Sequence, residues 1–345
     1  MANYAASVLE EAKLLLNQRF SDPEKRLKAP ANVLGAFMKN TDLSIPNVGS
    51  LRTAAARAEK GYFFNRSKRS NTSARAHNHT GSVGDSTEVA FSWATYGDKF
   101  QTSLKRSENN IFNDAQLLAN EIDNAMKNIY ESADAAALAY LGTNKTTVNV
   151  ATKNGVFDGT TSDAFEIATA NIARFIQHAK SMLRQNYYSG GAELILDPVL
   201  YLEAEHYLQQ GGANSTNTAY QIAGVNLWEA ITLADVNFPK GAGYIIPEGT
   251  IGVVDWIPAK NRSGWGDYES YNGGYGTITD PRTGLTMALH GYSQRADTSS
   301  AGGEVQDVTT EWEVSVDMSF NKSPLTVANE TPIFEIGIVD TPADA

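Results

Sequence analysis

His77 and His79 stand one residue apart. On a strand that spacing puts both imidazoles on one face, where they could begin a metal site. No third ligand is near, and the stretch Asn78-His79-Thr80-Gly81-Ser82-Val83-Gly84-Asp85 has the composition of a polar turn. The expectation is a polar tip. His178 and His206 occur singly within helical patterns. A catalytic histidine needs a nucleophile beside it and a third group to orient it. The chain contains no Gly-x-Ser-x-Gly, no His-Glu-x-x-His and no P-loop. Asp267, Glu269 and Asp280 share one stretch with Trp265, Tyr268, Tyr271 and Tyr275. Such a loop could stack a sugar or hold calcium on oxygen, though the EF-hand spacing is missing. A packed or subunit-contacting surface is the plainer expectation, since Tyr and Trp favour interfaces. Gly241-Ala242-Gly243 follows Phe238-Pro239-Lys240 and leads into a strand, so no helix N-terminus faces an anion there. With no cysteine, disulfides, thiolate metal sites and a cysteine nucleophile are excluded. No catalytic residue, metal site or cofactor is expected; the chain reads as a builder and not an enzyme.

The elements that must carry these residues come next. The chain has 345 residues, 42% of them hydrophobic, enough for one large domain or two interleaved ones. Its start, MANYAASVLEEAKLLLNQRF, lacks a basic then apolar leader, so no secretory signal is expected. No run of about 18 apolar residues suggests a membrane span. Net charge is −11, unevenly placed. Residues 1–106 carry 16 Lys/Arg against 9 Asp/Glu, a net +7, and residues 107–345 carry 12 against 30, a net −18. Arg52, Arg57, Lys60, Arg66, Lys68, Arg69 and Arg75 oppose only Glu59. Such asymmetry fits nucleic-acid contact, or the basic part of one copy meeting the acidic part of another. The second is preferred, because no aromatic residues interleave the run as they do in single-strand binders.

The period predicts a helix over 4–20, with Ala5, Val8, Leu9, Ala12, Leu15, Leu16 and Phe20 on one stripe, followed by an irregular stretch to about 60. Residues 61–106 read as a long β-hairpin with a basic first strand, returning through Val89, Phe91 and Trp93. Arm and hairpin together hold about a hundred residues with little core of their own. Residues 108–141 predict one uninterrupted helix, with Ser107 as N-cap and Gly142 as the stop, and a narrow Ala-rich stripe from Ile111 to Tyr140. A second helix is predicted over 162–186. A buried strand over 192–196 follows, and then a helix begun by Asp197-Pro198 that stops at Gly211-Gly212. Beyond 219 the chain is β-rich, with strands at 220–228, 243–246, 250–257, 284–293, 309–320 and 332–339, and a loop over 261–280. In TTEWEVSVDMSF, Trp312, Val314, Val316 and Met318 share a face.

This order resembles the major capsid protein of tailed phages, the Hong Kong 97-type fold. The likeness lies in element order and local texture. SENNIFNDAQLLANEIDNAMKNIYESADAAALAYL is similar to the spine helix of that family, VAFSWATYGDKF to its returning hairpin strand, AELILDPVLYLEAEHYLQQ with IAGVNLWEAITL and EGTIGVVDWIP to its A-domain, and TEWEVSVDMSF to its late strand. The resemblance implies an α+β fold with an N-terminal arm at 1–60, an E-loop hairpin at 61–106, a P-domain spine at 107–149, an A-domain at 150–300 and returning P-domain strands at 301–345. It implies hexamers and pentamers that build an icosahedral shell around double-stranded DNA, bound without sequence specificity. It implies location in the virion capsid, assembly in the host cytoplasm, a portal and no membrane partner. Some members begin with a long acidic scaffolding segment; residues 1–60 are short and not acidic, so a separate scaffolding protein is expected. Lys–Asn cross-linking occurs in part of the family and is not expected of Lys68. Arg66, Lys68, Arg69 and Arg75 are expected to meet acidic surface on the next subunit. The alternatives are an encapsulin-like protein-cargo shell, a carbohydrate-binding surface protein using the 261–280 loop with Trp265, and a hydrolase, for which no constellation is present.

Overall fold

A computed structural model gives the fold of residues 4–21, 33–64, 86–103, 113–147, 156–158, 162–186, 188, 190–212, 224–233, 235, 237–297, 306–324 and 331–342. In chain order these form α1 (Tyr4–Ser21), α2 (Val33–Ser44), α3 (Val48–Thr53), β1 (Lys60–Phe64), β2 (Ser86–Ala90), β3 (Ala94–Ser103) and the long helix α4 (Asp114–Asn144). Next come β4 (Val156–Asp158), β5 (Ala164–Ala168), a 3-10 turn (Thr169–Arg174), α5 (Phe175–Gln185), β6 (Ala192–Leu196), α6 (Pro198–Gly212) and β7 (Val225–Glu229). The rest is β8 (Ala242–Pro247), β9 (Ile251–Trp256), α7 (Ala259–Ser263), β10 (Gly274–Thr279), β11 (Thr286–Asp297), β12 (Gln306–Lys322) and β13 (Phe334–Val339). Helix and sheet are mixed, as the α+β expectation required.

The axis of the molecule is α4, 31 residues or about 46 Å long. It starts at a capping box. Asn113 Oδ1 accepts from the Gln116 N–H at 2.8 Å, and Gln116 Oε1 accepts from the Asn113 N–H at 3.2 Å. The start is therefore Asn113 and not Ser107, which lies with Ile111 outside the described residues. Gly142 does not stop the helix either; it runs on to Asn144 and ends where the Lys145 backbone turns extended. Ala115, Leu118, Ile122, Ala125, Ile129 and Ala133 are buried as the period required, and so are Ala119, Met126, Tyr130 and Ala137. The stripe is wider than expected because α4 is packed from two sides, by α1 and α2 and by a sheet.

That sheet has the order β10-β11-β12-β3, with β9 on the far end of β12, all antiparallel. Trp312, Val314, Val316 and Met318 are all buried. Two expectations fail here. The stretch from Ala94 does not return along the hairpin; it forms β3, in register with β12 from Thr309↔Ser103 to Met318↔Ala94. The expected loop at 261–280 contains a strand, because Gly274–Thr279 pairs with β11 along its whole length. Its glycines and polar residues hid the alternation.

The arm is not irregular to residue 60. Val33, Leu34, Ala36 and Phe37 of α2 are fully buried, and Phe37 meets the rings of Phe320 at 5.2 Å and Tyr140 at 6.0 Å. The buried polar side chains that break its stripe are satisfied. Asn40 Oδ1 accepts from Gly249 N–H at 2.8 Å, and Thr41 Oγ1 accepts from Val253 N–H at 3.1 Å. The expectation that arm and hairpin hold little core is overturned for this segment. Helix α1 buries Ala5, Leu9, Ala12 and Leu16 and packs on α4 of its own body.

The second sheet has the order β4-β5-β13-β8-β6-β7, with β5/β13 and β6/β7 parallel. Its first strands replace half of the helix expected over 162–186. Ala164–Ile167 is buried throughout, and a strand buried on both faces loses the alternation that would betray it. Only Phe175–Gln185 is α-helix. The Asp197-Pro198 start of α6 holds: Asp197 Oδ1 accepts from Leu200 N–H at 2.8 Å and Oδ2 from Ala242 N–H at 3.1 Å. Helix α4 reaches this sheet too, since Ile195, Tyr244 and Ile246 belong to the core it builds.

Candidate functional site

The residues with catalytic or metal-binding potential do not converge. His178 is half-buried on α5 and His206 exposed on α6. Asp280 is buried at the β10–β11 turn against Arg282, its Oδ1 3.0 Å from Nε. Asp267 and Glu269 are exposed, and the Glu269 carboxylate accepts the Tyr4 and Ala5 N–H groups at the start of α1. The three carboxylates are therefore committed separately, and no group of three His, Asp or Glu among the described residues could hold a metal. His77 and His79 lie outside the described residues.

The aromatic stretch packs on itself. Tyr275 stacks on His290 with centroids 4.4 Å apart, carries Lys260 Nζ 5.1 Å from its ring centre and leans on Trp265 at 5.7 Å. Tyr268 tilts against buried Trp312 at 5.7 Å. Burial holds the His290 imidazole below its usual range. Faces that a sugar would stack on are thus taken at Tyr275 and Tyr268. What remains outward is Trp265, 57% exposed, and Tyr271, 82% exposed.

The geometry that calls for a partner is elsewhere. Strands β1 and β2 pair from Lys60↔Ala90 to Phe64↔Ser86 and, among the described residues, with no third strand. One face of the ribbon is anchored along its described length. Phe63 and Phe91 close a small core with Ile45, Val48 and Val254, and Trp93 Nε1 donates to the Ala58 carbonyl at 2.7 Å. Gly61 is required here, since a Cβ would stand 2.6 Å from the Phe91 ring. On the other face the ribbon is open: β2 alternates between exposed and half-buried, and Tyr62 is 61% exposed. An isolated two-stranded ribbon is marginal in water.

The basic run is partly spent inside the chain. Arg52 Nε sits 2.6 Å from Asp255 Oδ1, Arg57 3.6 Å from Asp317, and Lys60 3.0 Å from Glu88. Sequence reasoning missed these pairs because Asp255 and Asp317 lie about two hundred residues away on β9 and β12. Arg66, Lys68, Arg69 and Arg75 lie outside the described residues. Among the described residues no helix is long and apolar enough to cross a membrane.

No protein-family model matches the chain, and no curated protein does. Solved structures similar to it include the capsid of Ralstonia phage GP4, at 10% identity and TM-score 0.44 over 94% of this chain and 98% of that one. They also include the capsid structure of the cyanophage P-SCSP1u, at 11% identity and TM-score 0.47 over 89% and 90%. A structure from Mycobacterium phage Che8 matches at 10% identity and TM-score 0.45 over 88% and 91%.

Proposed function

We propose that the chain is the subunit of a shell: copies assemble as hexamers and pentamers into an icosahedral capsid enclosing the double-stranded DNA of a tailed phage. One observation carries this reading. The β1/β2 ribbon is held on one face by Phe63 and Phe91 and turns Tyr62 outward on the other, without a third strand among the described residues. Neighbouring copies would supply the surface it lies on. The long axis α4, packed from two sides, gives each subunit a rigid frame for such contacts. In this reading residues 1–60 are the arm, 61–106 the hairpin region, 107–149 the spine, 150–300 the A-domain and 301–345 the returning strands. A separate scaffolding protein and a portal complete assembly in the host cytoplasm.

Negative-stain microscopy of the purified chain tests the reading. Closed shells or rings of six and five subunits are expected. A chain that stays monomeric at high concentration, with and without a co-expressed scaffolding protein, would sink it.

The hairpin charges give a second test. Arg66, Lys68, Arg69 and Arg75 are proposed to face acidic surface on the next subunit. Exposed pairs contribute about 0–1 kcal/mol each, so they act together. Replacing all four with Gln should lower the yield of assembled particles and flatten its dependence on salt between about 0.05 and 0.5 M, a range over which the screening length falls from more than about 10 Å to about 4 Å. Unchanged yield and unchanged salt response by light scattering would remove these residues from the interface.

A further inference from the structure

Helices α5 and α6 build one core with the face of the second sheet that is turned away from α4, and they are opposite in charge. Between Glu166 and Glu193 the chain carries Arg174, Lys180 and Arg184 and no carboxylate. Between Arg184 and Lys240 it carries six carboxylates and no Lys or Arg. In α5 the side chains of Phe175, Ile176, Ala179, Met182 and Leu183 are buried. Arg174, Gln177, Ser181 and Arg184, spaced 3, 4 and 3, share the opposite stripe, and both arginines are exposed. Of the carboxylates, Glu193 is held by Lys39 at 3.1 Å and Asp197 caps α6. Glu205 is exposed, and Glu203 and Glu229 are half-buried. Burial raises the Tyr201 phenol and the carboxylates of Glu205 and Glu229 raise it further, so the acids of α6 and of β7 share one neighbourhood. That acidic face is also apolar where water should meet polar groups. Val199 is 47% exposed, Leu202 65% and Ile231, just past β7, 69%. Strand β7 ends its sheet and pairs, among the described residues, with β6 alone. Its five residues include no Lys or Pro to guard the edge.

We propose that this face of α6 and β7 docks on the Arg174–Arg184 stripe of a second copy of the chain. An exposed leucine alone needs no explanation. Three large apolar side chains beside an open strand edge, bordered by one sign of charge, mark a contact surface. The complement selects the occupant: the opposite sign stands on another face of the same molecule, without carboxylates of its own. The contact is head-to-tail. Each copy offers an acidic face to one neighbour and a basic stripe to the other, so successive copies can close a ring. The inference rests on the shell reading and names the surfaces by which ring neighbours meet.

Charge reversal on either face tests it, read by negative-stain microscopy and sedimentation of the full chain. Arg174→Glu/Arg184→Glu and Glu203→Lys/Glu205→Lys should each lower the yield of assembled particles at least about tenfold, since like charges then face each other. All four substitutions in one chain should restore the yield. An equimolar mixture of the two double variants should give rings of six, where every contact is again between opposite charges, and no rings of five. Leu202→Ser changes an exposed position and should leave thermal unfolding unchanged while lowering the yield. It decides the matter if a reversed chain fails to fold. Unchanged yield in both double variants or in Leu202→Ser, or no recovery in the fourfold chain, overturns the contact and leaves the shell reading standing. A wild-type chain that stays monomeric overturns the shell reading and this contact with it.

Discussion

Phe37→Ala is expected to destabilise the chain by about 3–5 kcal/mol. Phe37 is fully buried, and its ring stands edge-on to both Tyr140 of α4 and Phe320 of β12. Truncation would leave a cavity at the point where arm, axis and sheet meet. The surroundings have little freedom to collapse into it. Leu34 N–H is held by Asp134 Oδ1 at 2.8 Å, and Thr41 is bonded to β9 at the other end of α2. The cavity cost therefore adds to the transfer cost. Urea unfolding should show a lower midpoint with the slope nearly unchanged. A loss below about 1 kcal/mol would mean that the site relaxes freely, contrary to this packing. Phe37→Leu, which keeps most of the volume, should cost less than half as much. The consequence for assembly follows from the same contacts. A loosened α2 frees the base of the ribbon, because Ile45, just past its end, packs with Phe63 and Phe91. Particle yield should fall in Phe37→Ala even where the subunit remains mostly folded.

What could be read from the residues divides by how local the signal was. Helix α4 was visible because a 3.6-residue period ran through it unbroken, and β12 because Trp312, Val314, Val316 and Met318 alternated with polar neighbours. The start of α6 was visible because Asp197-Pro198 is a cap that acts within four residues. Helix α2 was hidden by Asn40 and Thr41, polar residues buried on its core face whose partners come from Gly249 and Val253. No local rule reveals donors about two hundred residues away. Strand β5 was hidden because burial on both faces removes the polar half of the pattern, and the remaining Phe165, Ala168 and Ile172 happen to fit a helix. The same limit governed the basic run. Arg52 and Arg57 looked free for a partner, and they are matched by Asp255 and Asp317 on strands that the sequence places far off.

Arg282→Met should cost about 3–5 kcal/mol, because it strips the counter-charge from two buried carboxylates. The Arg282 side chain is 3% exposed, Asp123 1% and Asp280 0%. Arg282 reaches across from the β10–β11 turn to α4, with Nη2 3.4 Å from Asp123 Oδ1 and Nε 3.0 Å from Asp280 Oδ1. Beside them the Tyr130 hydroxyl meets Thr283, and burial drives that phenol far above its usual range, so it stays protonated and able to donate. Lys127 Nζ, 2.8 Å from Asp123 Oδ2, offers partial compensation and is itself 35% exposed. It cannot reach into the place of the guanidinium without leaving that contact. Arg282→Lys retains the charge and loses the planar fork, so an intermediate loss is expected. The decisive comparison is Asp123→Leu combined with Arg282→Met. If the single loss comes from stranded charge, removing Asp123 as well should restore a good part of it, since an apolar pair of similar volume avoids the desolvation cost. If the double variant is as unstable as the single one or worse, the ion pair itself holds the β10–β11 turn to α4, and the penalty is lost attraction rather than an uncompensated charge. Urea midpoints of the three variants at pH 7 separate these outcomes. The same comparison shows how firmly this turn fixes the edge strand β10, beside which the rings of Trp265 and Tyr271 stand outward.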